Sequence, residues 1–558
     1  VKKIFLSALL VAGLLPIAPA VSNATGALGP GEIDTSKYQY ISLQDASFGP
    51  WDSRITSYGG KNDSQRCSDW SGICSLERTN ERQISANLNF EVCSETQKFD
   101  CVQSVVIGGQ QAQLYFLDGA KTAGSPAHTL PSGSGPALAS IGDELFIVSS
   151  RGEYQYDRDK RYFLTRALDV DVVPVETAVS LNLKEGASAA SGSPATADQT
   201  CYYTDGYHCY VEDRQRLAKR QIDLVLHLST KWSGFFKGRL TDPLLTVKKQ
   251  GGVQVVSVSA KPSETHRVFF KIDWDKFGDK EQKALCFGTS WCQPMEKGST
   301  GTRNYLSSAP SALAIVQAFA AHHRDTSYLD DFEWSFGIGR YEGSDCLGPN
   351  KGLLGMVTSN APIFQATPPT YNFGYLTYDI AGLHYKQDGK TLNLGEYDLQ
   401  LRSDVARCLY GFSKAPVSAT VQVISDAGKE VVATTLVSES QGFVRLSAKN
   451  FTYSQKKIRV KLTQPALTAL APFASNSSTL GKSQAAALSK TLKAVQKNAG
   501  LTCTSIFSSE ANRKLALKQA TAVCAAAKKL RPDLKTEAVV APLSGSGQKA
   551  GVTLLRSY

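Results

Sequence analysis

Twelve cysteines, seven histidines and one acidic cluster are the residues of this 558-residue sequence with chemistry to offer beyond packing. His322 and His323 are adjacent, so on a helix they point to different faces rather than forming an i, i+4 ligand pair. Asp325, Asp330, Asp331 and Glu333 follow closely, a grouping that could hold calcium or supply a general acid and its partner. No Asp-x-Asp-x-Asp-Gly loop surrounds them, and they read as a polar helix exit. Neither a G-x-S-x-G nor a Walker motif occurs, so no catalytic residue, cofactor or metal ligand is assigned. Because a glycosidase's two carboxylates can lie far apart in sequence, a secreted carbohydrate-active enzyme with an unrecognised carboxylate pair stays as the alternative function.

The opening residues decide what the cysteines do. Val1 to Ala20 begin with Lys2 and Lys3, run apolar from Ile4 and end on Ala18-Pro19-Ala20, the pattern of a secretory signal peptide cleaved after Ala20 or, beyond Ser22-Asn23, after Ala24. Outside the cytoplasm thiols are oxidised, and an even count implies pairing. Sequence order suggests Cys67 with Cys74, Cys93 with Cys101, Cys201 with Cys209, Cys286 with Cys292, Cys346 with Cys408 and Cys503 with Cys524. Four of these join positions six to eight apart, each stabilising by about 2–3 kcal/mol in the chain-entropy view. Zinc would want Cys-x-x-Cys, or Cys with His at ligand spacing, and with neither present no metal is expected on these sulfurs.

Charge is distributed unevenly. Residues 466–558 hold 13 Lys or Arg against Glu510, Asp533 and Glu537, which is +10 of the chain's +11. With the two leader lysines set aside, residues 21–465 sum to −1. A basic C-terminal end argues for an acidic partner, and for a secreted protein the polyanions are cell-wall polymer, lipid headgroups and extracellular nucleic acid. The elements carrying this charge are periodic. Ser483–Asn498 reads as an amphipathic helix with Leu488, Leu492 and Val495 inward and Lys490, Lys493 and Lys497 outward, stopped by Gly500. Leu501–Phe507 reads as a strand, Ala511–Leu530 as a second helix, and Lys535–Ala541 with Gly551–Leu555 complete a small sheet.

Within that second helix, the run from Asn512 through Arg513, Lys514, Leu515, Lys518, Gln519 and Ala520 to Val523 resembles the motif N-x-x-L-S-x-x-R-A-x-x-V of OmpA-like peptidoglycan-binding modules. Phe473 and Leu480 suit that family's opening, and the resemblance covers residues 466–558. It implies an Asp just after the central strand and the Arg of R-A, which together hold the peptide of peptidoglycan through its charged groups. Gapless alignment sets Thr504 at the Asp and Gln519 at the Arg, so both charges are missing. Charge-assisted hydrogen bonds contribute about 1.5–3 kcal/mol each, enough for their loss to remove most specific affinity. Arg513, Lys514, Lys518, Lys490, Lys493 and Lys497 are left as the candidates for wall association. The whole arrangement resembles that of uncharacterised actinobacterial secreted proteins.

The rest of the chain reads as β-rich. Ile84–Phe90, Val102–Ile107, Ile222–Leu228, Val253–Val258 and Val268–Ile272 suggest strands, as do Ala419–Ser425, Glu430–Glu439, Phe443–Ala448 and Ile458–Leu462, while Ser311–His323 is the clearest helix. The expected class is α+β multidomain: a disulfide-stapled, sandwich-like β-rich body followed by a small OmpA-like α/β module. The expected division is a signal peptide at 1–20, β-rich domains at 21–184 and 200–300 joined by a linker at 185–199, a helix plus sandwich-like domain at 301–465, and the basic module at 466–558. The expected function is that of a secreted, non-catalytic envelope or surface protein, extracellular or wall-associated, with no membrane span in the mature chain and anionic cell-wall polymer or peptidoglycan as partner. Non-reducing peptide mapping should recover the six sequential cysteine pairs, and a crossed pair such as Cys74 with Cys93 would defeat the assignment.

Overall fold

The computed structural model describes residues 36–557, except 45–52, 77–81, 118–134, 179–193, 287–296, 298–301, 320–328, 340–345, 348–351, 411–417, 426–429, 544–548 and further stretches of one to three residues. The expected leader, most of the expected linker, His322, His323 and Asp325 lie outside the described residues. The protein is mostly β-strand (56%), with five α-helices among the described residues, a β-rich α+β chain.

Alternation builds the first core. In Ile222–Ser229 every second residue is buried, and the strand pairs with Cys101–Ile107 on one side and Val253–Asp273 on the other. Gln83–Asn89, Glu144–Asp157 and Tyr162–Ala178 form an opposing layer. Leu88, Phe146, Val170 and Val172 from this layer share one apolar cluster with Val105, Leu224, Leu226 and Val256 from the other, the arrangement of a β-sandwich. This single core draws on residues from both sides of segment 185–199.

A second core lies between a six-stranded sheet and the strands Leu353–Ser359, Leu394–Arg402 and Phe443–Thr452. A third packs Tyr38–Gln44 and the end of Val253–Asp273 against helices Asp279–Cys286 and Pro310–Phe319. Val253–Asp273, 21 residues long, runs from the first core to the third, pairing in turn with Ile222–Ser229, Leu329–Glu333 and Tyr38–Gln44. Between the first and second cores lies Arg239, which is buried. Its Nη1 donates to the carbonyls of Ser359 (2.9 Å) and Ala361, its Nη2 donates to that of Pro362 (3.3 Å), and its guanidinium lies 4.3 Å from the Phe364 ring centre. The hydrogen bonds and ring contact offset its desolvation.

Residues 466–557 form a unit with its own core. Strand Thr468–Leu470, helix Lys482–Leu492, strand Gly500–Phe507, helix Arg513–Leu530 and strands Lys535–Pro542 and Thr553–Ser557 follow in order. In the four-stranded sheet Thr553–Ser557 lies between Thr468–Leu470 and Gly500–Phe507, both antiparallel, and Lys535–Pro542 lies outermost, parallel to Gly500–Phe507. Leu488, Leu492, Leu501, Val523 and Leu555 share the core.

Several expected elements differ. The run Glu430–Glu439 is two strands, Glu430–Val432 in the six-stranded sheet and Thr434–Ser440 in the large network, because the chain changes sheets between them. Helix Lys482–Leu492 ends short of the expected Asn498: residues 493–498 run on as turns, and Asn498 itself takes a φ of +58°. Asp331 and Glu333 lie in the strand Leu329–Glu333 rather than at a helix exit. Trp232, Phe235 and Phe236, whose setting among Ser233, Gly234 and Gly238 reads as core or loop packing, are buried.

Four cysteine pairs are bonded as expected: Cys67–Cys74, Cys93–Cys101, Cys346–Cys408 and Cys503–Cys524. Cys209 and Cys286 are also disulfide-bonded, while Cys201 and Cys292 lie outside the described residues.

Asp100 ties the two layers of the first sandwich. Its carboxylate accepts from Tyr154 Oη (2.7 Å), Trp232 Nε1 (2.8 Å) and the Ser229 amide (2.7 Å), and burial raises its pKa against the pull of these donors. Asp100→Ala should cost about 3–5 kcal/mol, since two buried donors and one half-buried donor lose their acceptor. Asp100→Asn, which keeps an acceptor and tolerates the left-handed φ of +52°, should cost far less. Urea midpoints for the two variants check this ordering.

Candidate functional site

The basic face of the C-terminal unit follows from helix periodicity. Core positions face the sheet, which leaves Lys490 on the first helix, Lys493 and Lys497 just beyond it, and Arg513, Lys514 and Lys518 on the second helix exposed. Arg513 pairs with Glu510 (2.8 Å) and Arg531 with Asp533 (2.8 Å), so two of the unit's three acids are already engaged. The five lysines make no ion pair among the described residues, and their field acts outward.

Thr504 and Gln519 do not meet. Cys503 is bonded to Cys524 of the second helix, and Ser505 Oγ donates to Gln519 Oε1 (3.2 Å), so odd-numbered residues of Gly500–Phe507 face the helices. Thr504 alternates to the opposite face, where its Oγ1 accepts from Arg556 Nη1 (2.7 Å). Gln519 is buried, and its Nε2 donates to the Ser477 carbonyl (2.9 Å). Burial lowers the Arg556 pKa to about 10. Sequence reasoning passed over this arginine because only strand pairing, with Arg556 opposite Thr502, brings it to Thr504.

Carboxylates gather at two places in the body. In the first, Arg214 donates from Nε to Glu212 (2.8 Å) and from Nη2 to Asp171 (3.3 Å), and Tyr202 Oη donates to the same Asp171 oxygen (3.2 Å). Burial works against the Arg214 charge, but Asp171, Glu212 and Glu333 outweigh it and its pKa is raised. A cation held between carboxylates neutralises them, which suits an ion-pair network better than an acid and base flanking a substrate. Asp331 accepts from the Phe332 amide (2.9 Å) and Gln215 Nε2 (3.4 Å).

In the second, Glu396 and Asp398 share one face of Leu394–Arg402, opposite Lys449 and Ser447, while Tyr397, Leu399 and Leu401 point into the core. Glu396 accepts from Thr241 Oγ1 (3.0 Å), and Lys449 donates to Asp242. Burial, with repulsion from Asp242 and Glu396 opposed by Lys449, pushes Asp398 up to about 7. A neutral acid beside a second carboxylate is the combination a glycosidase needs. At 6% exposure Asp398 is nevertheless closed to a polymer.

The fold is thus a β-rich α+β body with a basic α/β unit at its C-terminal end. No family model matches the chain, and no curated protein matches its sequence. No helix among the described residues is long and apolar enough to cross a membrane.

Asp398 also sets a pH dependence. Because its folded pKa lies above the unfolded value, the folded state binds this proton more tightly, and the resulting stability is present at low pH and lost as pH rises through about 7. Between about pH 4 and 7 the slope approaches 1.4 kcal/mol per unit. Asp398→Asn should remove this slope, being more stable than the parent at pH 8 and losing that advantage toward pH 5. Urea unfolding of both proteins at several pH values is the measurement.

Proposed function

We propose that the chain is a secreted, non-catalytic envelope protein whose β-rich body is carried by a basic C-terminal module associating with anionic cell-wall polymer through net charge. The observation that carries this reading is the set of five exposed lysines that make no ion pair among the described residues, on a unit whose acids Glu510 and Asp533 are engaged with arginines. Secretion is supported by the leader-like opening and by the disulfides. The OmpA-like reading of the module is supported by its helix motif and by its alternating strands and helices.

Charge, not a peptide-reading pocket, is the proposed source of affinity. Thr504 and Gln519 are uncharged, buried and turned to opposite faces of the sheet. Charge-driven association is screened within about 8 Å at physiological ionic strength.

Co-sedimentation of the full chain with purified cell walls should fall at least roughly tenfold between about 50 mM and 500 mM salt. Replacing Lys490, Lys493, Lys497, Lys514 and Lys518 by Glu should abolish it while leaving the far-UV spectrum unchanged. Salt-insensitive sedimentation that is lost in Gln519→Ala would instead reveal a specific pocket. Polysaccharide turnover lost in Glu396→Gln would favour the carbohydrate-active alternative.

A further inference from the structure

His227 has no role in the charge-based reading, yet the fold gives it a particular neighbour. In the antiparallel pairing of Ile222–Ser229 with Cys101–Ile107 it stands directly opposite Cys101. Cys101 is bonded to Cys93, and both sulfurs and an imidazole nitrogen lie within 4.8 Å of one another. Cys101 is fully buried, whereas Cys93 and His227 are half-buried, so the group opens to solvent on one side.

Backbone hydrogen bonds hold these positions independently of the sulfur–sulfur bond. The Cys93 amide donates to the Val102 carbonyl (2.9 Å), and Glu91 and Val92 pair in parallel with Cys101 and Val102. Asp100 is fixed by Tyr154, Trp232 and Ser229, which seats Cys101 from its other side. Opening the disulfide therefore leaves both side chains beside His227.

We propose that reduction of Cys93–Cys101 creates a site for one Zn²⁺, with two thiolates and the His227 imidazole as ligands and the solvent side as an open fourth position. A dithiol reductant supplies two electrons and two protons, the sulfur–sulfur bond breaks, and the reductant leaves as its own disulfide. Zn²⁺ then displaces both thiol protons and forms two Zn–S bonds of about 2.3 Å and one Zn–N bond of about 2.0 Å. Tetrahedral geometry requires the sulfurs to part to about 3.8 Å, a rotation of the half-buried Cys93 side chain. The oxidised protein has no thiolate to offer, so metal binding is gated by redox state.

The test uses the full chain, reduced anaerobically, with Co²⁺ alone as the spectroscopic probe. Reduced parent should take up one equivalent more than Cys93→Ser/Cys101→Ser, with a thiolate-to-metal charge-transfer band. The double variant measures any contribution from the other cysteines. His227→Gln should weaken that uptake at least about tenfold, in line with loss of one ligand, and the oxidised parent should show none. As a second readout, Zn²⁺ should protect Cys93 and Cys101 from alkylation in the parent but not in His227→Gln, scored peptide by peptide. The proposal is overturned by equal uptake in the double variant or by unchanged affinity in His227→Gln. It is likewise overturned if reduction erases the β signal and metal does not restore it.

Discussion

A carboxylate taken out of water must be met by donors, and at Asp100 the donors come from three parts of the chain. Tyr154 belongs to one layer of the first sandwich, Ser229 to the other, and Trp232 to the turn that follows. Trp232 in turn packs edge-on against Phe90 and Tyr154. A residue of the wrong length or charge at position 100 would leave these donors buried without an acceptor, which the interior penalises more heavily than it rewards the bond itself. The same anchoring fixes the start of Cys101–Ile107, and with it the register that sets Cys101 against His227.

What was legible in the sequence was whatever a short period could encode. Ile222–Ser229 announces itself because each second residue is apolar, and Arg513–Leu530 because Ala516, Ala520, Val523 and Ala527 recur on one face. The middle of Val253–Asp273 was not legible. Ser263, Thr265 and His266 look like a break, yet they are buried because Leu329–Glu333 pairs alongside them. Arg239 was missed for a related reason: its acceptors are carbonyls more than a hundred positions away, and no local pattern marks a carbonyl. His227 and Cys101 are joined only by register, which a sequence does not display.

The C-terminal unit separates two kinds of polar residue. Gln519 and Thr504 are buried and find protein partners, while the lysines on and beside the unit's helices are exposed. The resemblance drew attention to the first pair, while the unit's exposed positive charge is carried by the second set. A helix can thus keep the spacing of a motif while its charged side chains lie on the exposed face and its motif positions Gln519, Ala520 and Val523 are buried.

Tyr38–Gln44 is the first described strand, and its partners are residues 268–273 on one side and 302–306 on the other. A ribosome must therefore finish about half the chain before this strand can be flanked. Until then its backbone amides and carbonyls are an open edge, able to template pairing with any extended segment nearby. The strands 54–60, 83–89, 144–157 and 162–178 pair among themselves, so what waits on synthesis of the middle is the closing of this one edge.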